Sequence, residues 1–172
     1  MSMRTMPGLS ITPEVFEIVW GHLLPSPHRL EEAAFLFCDY QGDGTTLRVV
    51  GFELMAPDDY AVQLPYHFEL TREALARVIK MAHDRGAMLV EVHSHLGSGS
   101  AFFSRSDLTG FVEVVPHVRW RLKGRPYGAV VTATDGFSGL LWSGSDPRPT
   151  PIRTIQVGEA LLSSQSVGVS ND

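Results

Sequence analysis

Apolar residues recur at helical spacing in two stretches of the chain. Val15, Phe16, Val19 and Leu23 place one apolar stripe on a helix that Thr12 caps and Pro13 opens, where a missing N–H is harmless because first-turn donors lack intrahelical partners. Pro25-Ser26-Pro27 ends that helix near residues 22–24. Ala74, Leu75, Val78, Ile79 and Ala82 repeat the pattern after a Thr71 cap, with Gly86 placed to take the left-handed turn that closes a helix. Between them, Ala33 to Tyr40 and Thr46 to Met55 are apolar or β-branched runs joined by Gln41-Gly42-Asp43-Gly44, which predicts an antiparallel pair. Tyr60 to Leu70 reads as extended. Ala87 to Val92 is largely apolar and predicts a strand buried on both faces, running straight into His93. A Gly/Ser-rich loop, Leu96 to Phe103, precedes a short helix from Asp107 to Val115 that Pro116 is expected to stop. Tyr127 to Thr134 and Phe137 to Trp142 flank Asp135-Gly136, a strong hairpin signal.

The order helix, hairpin, helix, strand, loop, helix, hairpin predicts an α/β fold with a mixed β-sheet flanked by helices. No Gly-rich phosphate loop follows any of the strands. After Trp142 the composition turns to Gly, Ser, Asp and Pro, so the domain is expected to span residues 10–142. Residues 143–172 then form a partly flexible extension with a strand or helix over 152–162 and a frayed end from 163.

With 172 residues, 44% of them hydrophobic, the chain can build a core without a disulfide or a structural metal, so a metal would point to chemistry. Its longest apolar run is the six residues Ala33 to Cys38, and a membrane-spanning helix needs about 18. The first ten residues lack the apolar core of a signal peptide, and Cys38 has no second cysteine to pair with, so a reducing cytoplasm is the expected compartment. A net charge of −5 argues against nucleic acid as the partner.

The candidate chemistry gathers at the end of the buried strand. His93 and His95 are two residues apart, so strand alternation projects both imidazoles from one side. A reversal through Gly97-Ser98-Gly99 can return the carboxylate of Asp107 to them. Two imidazoles and one carboxylate leave a fourth tetrahedral position for water, which is the pattern of a catalytic zinc, with iron or manganese as the next choices. A single Cys excludes a thiolate-rich site. Ser104-x-x-Asp107 also has the form of a capping box, and the two roles are compatible because a helix N-terminus favours the ionised carboxylate. Glu91 shares the parity of the histidines and is either their supporting partner or the neighbour of another charge. Ser94 points to the opposite face. His22, His28, His67, His83 and His117 are read as surface or hydrogen-bonded histidines outside the site.

His93-Ser94-His95 followed by Ser104-Arg105-Ser106-Asp107 resembles the JAMM (MPN+) metalloprotease motif of the JAB1/MPN/Mov34 family, H-x-H, seven residues, then S-x-x-D. Eight residues separate His95 from Ser104, one more than in that pattern, and Leu96 stands where a Pro commonly follows the second His. The family places a catalytic Glu just before its first long strand. Glu31-Glu32-Ala33-Ala34-Phe35-Leu36-Phe37 is similar, with Glu31 as the matching residue and Glu32 as the alternative one position away.

The resemblance, of bacterial Prok-JAB type, implies the three-layer MPN and cytidine-deaminase-like arrangement. It also implies one Zn2+ per chain on His93, His95 and Asp107, with catalysis by Glu31 and Ser104. Glu31 would move the proton of the attacking water, and Ser104 would hydrogen-bond the developing oxyanion. The implied substrate is the C-terminal tail of a ubiquitin-like protein or its conjugates, with E1-like and E2-like enzymes as partners. A catalytically silent scaffold of the same fold and a peptidase for a sulfur-carrier protein are the competing readings. Arg119, Arg121, Lys123 and Arg125 alternate, so on an extended segment they would form one cationic stripe, either a solvated edge or a docking surface for such a tail.

Overall fold

The computed structural model describes residues 6–165. In chain order it contains β1 (Gly8–Ile11), α1 (Pro13–Leu23), β2 (Ala33–Tyr40), β3 (Thr46–Leu54), β4 (Tyr60–Leu64), β5 (His67–Leu70), α2 (Arg72–Arg85), β6 (Met88–Ser94), α3 (Arg105–Arg121), β7 (Tyr127–Ala133), β8 (Gly136–Trp142), β9 (Thr150–Ile152), β10 (Thr154–Val157) and β11 (Ala160–Ser163). Nine strands form one mixed sheet in the order β11-β10-β1-β3-β2-β6-β7-β8-β9, and β4 and β5 pair separately.

Side-chain alternation sorts the sheet into two cores. Ala33, Phe35, Phe37, Leu89, Tyr127 and Ala129 meet α2 and α3 on one face. Ala34, Leu36, Cys38, Val90, Val92 and Val130 meet Val19 and Leu23 of α1 on the other. The result is three layers, helix, sheet and helices, as expected for the α/β class. Cys38 is a free, fully buried thiol. Only Arg153 separates β9 from β10, yet these strands lie toward opposite ends of the sheet order, so the sheet curls until its ends meet. Ile152 and Ile155, one from each side of that junction, are both fully buried in the core that contains α1.

Several elements depart from the sequence reading. β1 was not anticipated; its four residues are too short to carry a pattern, and it pairs in parallel with both β3 and β10. The stretch from Tyr60 to Leu70 breaks at Pro65-Tyr66 into a hairpin, with Tyr66 at its exposed tip. The strand or helix expected over 152–162 is present as β10 and β11, while β9 is additional and all three join the main sheet, so the fold does not close at Trp142. Ser163 ends β11, and residues 166–172 lie outside the described residues.

Pro116 does not stop α3, which runs on to Arg121. Phe111, Val115, Val118 and Leu122 hold the helix against the sheet, while Pro116 sits on the solvent side, where the carbonyl it leaves free can bond water. The cationic stripe is consequently absent, because Arg119 and Arg121 belong to a helix and two of the four cations are taken up by backbone. Arg119 donates to the carbonyls of Gly124 and Gly144, and Arg125 to those of Ala82 and Ala87.

Candidate metal centre

β6 delivers Glu91 and His93 to the face covered by α2 and α3, and its backbone continues to His95, whose N–H donates to the Thr132 carbonyl at 2.9 Å. Asp107 comes from the first turn of α3. Ser104 caps that helix reciprocally: its N–H donates to Asp107 Oδ2 at 2.7 Å, and its Oγ accepts from the Asp107 N–H at 3.1 Å. The loop between is fixed by the β7–β8 hairpin. Gly97 and Gly99 take positive φ, Thr134 Oγ1 donates to the Gly97 carbonyl, the Gly99 N–H to Asp135, and Ser138 Oγ to the Ala101 carbonyl at 2.6 Å. Its eight residues are absorbed there, and Ser104 still opens α3.

Asp107 Oδ2 lies 3.5 Å from His93 Nε2 and 3.3 Å from His95 Nε2. One ligand atom from each of the three residues falls within 4.8 Å of the others. His95 Nδ1 donates to the Ser100 carbonyl at 2.7 Å, which leaves Nε2 as the lone-pair nitrogen. His93 is 1% exposed, and neither of its ring nitrogens makes a hydrogen bond among the described residues. A buried imidazole nitrogen left unpaired beside a second imidazole and a carboxylate is the donor set that suits a divalent cation. The three residues therefore fit a metal, without specifying which.

Alternation also separates the two glutamates. Ala33 pairs with His93 across β2 and β6, so Glu31, two residues earlier, comes opposite His95, while Glu32 turns to the other face. Glu31 Oε1 lies 3.6 Å from His95 Nε2 in a side chain that is 5% exposed. Its backbone is held by β4, donating to the Leu64 carbonyl and accepting from Gln63 Nε2. Glu32 instead accepts from the Tyr60 hydroxyl at 3.2 Å and lies 3.8 Å from His22. The structure thus gathers His93, His95, Asp107 and Glu31, with Ser104 at the edge through its cap.

The electrostatics follow from burial and contact. Burial raises the Glu31 carboxyl, with His93 and His95 offsetting part of the effect. Burial also acts to raise Asp107, but the adjacent His93 and His95 rings, with the Ser104 N–H bond, outweigh it and hold the carboxyl well below the usual range. For His93, burial acts downward and is outweighed by Asp107 and Glu91, which push it up to about 10. Both carboxylates favour positive charge at this point, whether a proton or a cation carries it.

Three contributors escaped the sequence reading. The Ser100 carbonyl is backbone and leaves no sequence signal. Tyr127 carries only a strand signature in the sequence, yet its hydroxyl donates to Glu91 Oε2 at 3.1 Å. His67, in keeping with its reading as a surface or hydrogen-bonded histidine, is half-buried, 3.1 Å from Glu69 Oε1 and 3.4 Å from Ser106 Oγ, and its nearness to Asp107 is what the sequence does not show. It also helps line a cleft of about 860 Å³ between β5 and α3 that reaches Asp107 and Glu91.

A family profile described as prokaryotic homologs of the JAB domain matches residues 14–142. The solution structure of protein DSY2949 from Desulfitobacterium hafniense superposes with a TM-score of 0.54 at 15% identity, covering 88% of this chain and 94% of that one. No curated protein matches the chain in sequence. No helix among the described residues is long and apolar enough to cross a membrane.

Proposed function

This chain belongs to the prokaryotic homologs of the JAB domain, and from that premise we propose that it is a zinc-dependent isopeptidase or peptidase that cuts after the C-terminal tail of a ubiquitin-like protein or its conjugates. One observation carries the reading: His93, His95 and Asp107 converge within 4.8 Å, with the buried Glu31 carboxylate beside His95. A divalent cation held by those three residues supplies Lewis acidity, acidifying water and polarising a carbonyl.

The remaining chemistry belongs to the chain itself. Burial that raises the Glu31 carboxyl suits it to accept a proton from the attacking water at Oε1 and return it to the departing amine. Ser104 Oγ already accepts from the Asp107 N–H, which leaves its own proton free to donate toward the substrate oxygen as negative charge develops. His93 and Asp107 keep each other in place, and the capping box fixes Asp107 on its helix. The cleft of about 860 Å³ beside β5 reaches Asp107, and the β5 edge offers backbone groups for a tail to pair with. E1-like and E2-like enzymes acting on the same tail are the proposed partners, and the cytoplasm is the proposed compartment.

The test incubates the purified protein with ubiquitin-like proteins extended at their C-termini and, in parallel, with short peptides bearing the same junction. The proposal expects cleavage at the junction of the fusions, abolished by a chelator and restored by Zn2+. Cleavage of the short peptides at equal efficiency would favour a general peptidase. A folded protein that takes up no metal would favour the scaffold.

A further inference from the structure

The support behind His93 is of a different kind from that behind His95. His95 leans on a neutral backbone carbonyl, that of Ser100. His93 Nδ1 instead faces a carboxylate, with Glu91 Oε1 at 3.3 Å, an ion-pair approach that falls short of hydrogen-bond geometry. Glu91 pairs with Phe35 on β2 and Ala129 on β7, both fully buried, so its charge sits in a largely apolar setting and needs defined partners. Its second oxygen accepts from the hydroxyl of Tyr127, itself fully buried under α3 against Trp142. A buried tyrosine hydroxyl whose one hydrogen bond among the described residues goes to that carboxylate fixes which way Glu91 points.

We propose that Glu91, steadied by the Tyr127 hydroxyl, is a positioning residue that keeps His93 Nδ1 protonated and His93 Nε2 available as a metal ligand. The inference rests on the reading of His93 as a ligand. A carboxylate accepting from the far nitrogen of an imidazole fixes the tautomer and the ring rotation, and it makes the near nitrogen a stronger donor. The two histidines are therefore unequal ligands, one backed by a full charge and the other by a dipole.

Three variants separate charge, acceptor and support. Glu91→Gln keeps an oxygen for the His93 N–H but loses the charge, Glu91→Leu loses both, and Tyr127→Phe loses only the steadying hydroxyl. Zn2+ affinity is measured by competition with a chromophoric chelator, alongside the melting temperature of the chelated proteins and the His93 ring nitrogen shifts of zinc-loaded, 15N-labelled protein. The expected losses of affinity are about tenfold for Glu91→Gln and about a hundredfold for Glu91→Leu, with Tyr127→Phe between wild type and Glu91→Gln. Nitrogen shifts in wild type should show Nδ1 protonated. Wild-type affinity in a folded Glu91→Leu, or in Tyr127→Phe with a lowered melting temperature, would reduce Glu91 to a packing role and overturn the proposal. Failure of the wild-type chain to take up Zn2+ would overturn the metal reading itself, a separate outcome visible before any variant is made.

Discussion

Replacing Glu31 by Gln should remove activity and add stability at the same time. Gln has nearly the same shape, so the backbone bonds of residue 31 to Leu64 and Gln63 stay in place. What disappears is a carboxylate in a 5% exposed side chain, 3.6 Å from His95 Nε2. A positioned general base contributes about 10²- to 10⁴-fold, so the barrier to hydrolysis should rise by roughly 3 to 5 kcal/mol. The stability effect has the opposite sign. Because burial raises the Glu31 carboxyl in the folded protein, ionisation costs folding free energy, and that cost is present above the folded-state pKa and fades as pH falls through the ordinary carboxylate value. Chelated Glu31→Gln should therefore melt higher than chelated wild type at pH 7, with the difference closing toward pH 4. Glu32→Gln, whose carboxylate faces Tyr60 and His22, should leave cleavage unchanged. The assays are fusion cleavage, chelator competition to show retained metal, and thermal melts across pH. Loss of activity in Glu32→Gln with full activity in Glu31→Gln would refute the assignment, and a lower melting temperature for chelated Glu31→Gln at pH 7 would refute the electrostatics.

Ser104→Ala should lose about 1 kcal/mol of stability from the α3 cap and, separately, about 10²- to 10³-fold in kcat as an oxyanion donor, read by denaturant melts and steady-state kinetics. In chelated protein, the His93 contribution to stability is fully present below its unfolded pKa near 6.5 and lost as pH rises toward about 10, so wild type should lose stability over that window while His93→Gln should not. Arg125→Ala removes a part-buried donor from the carbonyls of Ala82 and Ala87, the first of which keeps the Gly86 and Ala87 N–H groups, and should cost about 1 kcal/mol in urea unfolding, with Zn2+ affinity and cleavage unchanged.

Much of this fold was legible because local chemistry and tertiary role coincide. Thr12-Pro13 and Thr71 with Gly86 bound α1 and α2, and Asp135-Gly136 turns between β7 and β8. The expected layered α/β arrangement holds because the apolar runs alternate onto two faces that helices cover. The strand parity of His93 and His95 places both rings with Asp107. The choice between Glu31 and Glu32 could not be made from one strand alone. It needed the β2–β6 register, which decides which parity of β2 shares a face with His93. Pro116 misled because a helix can run through a proline where packing holds both sides and the freed carbonyl reaches water, as it does on the exposed side of α3. The alternating cations misled for the same reason: period two means a stripe only on a strand, and the chain there is a helix ending in a turn. β9, β10 and β11 are short strands whose partners are distant in sequence, so nothing local announces that they carry the ends of the sheet.

Everything proposed for this site depends on His93, His95 and Asp107 sharing one metal ion. Anomalous diffraction at the zinc edge from zinc-loaded crystals tests it directly. A single strong peak is expected within about 2.0–2.2 Å of His93 Nε2, His95 Nε2 and an Asp107 oxygen, with one coordination position left open. A peak elsewhere, or one contacting fewer than these three side chains, would contradict it.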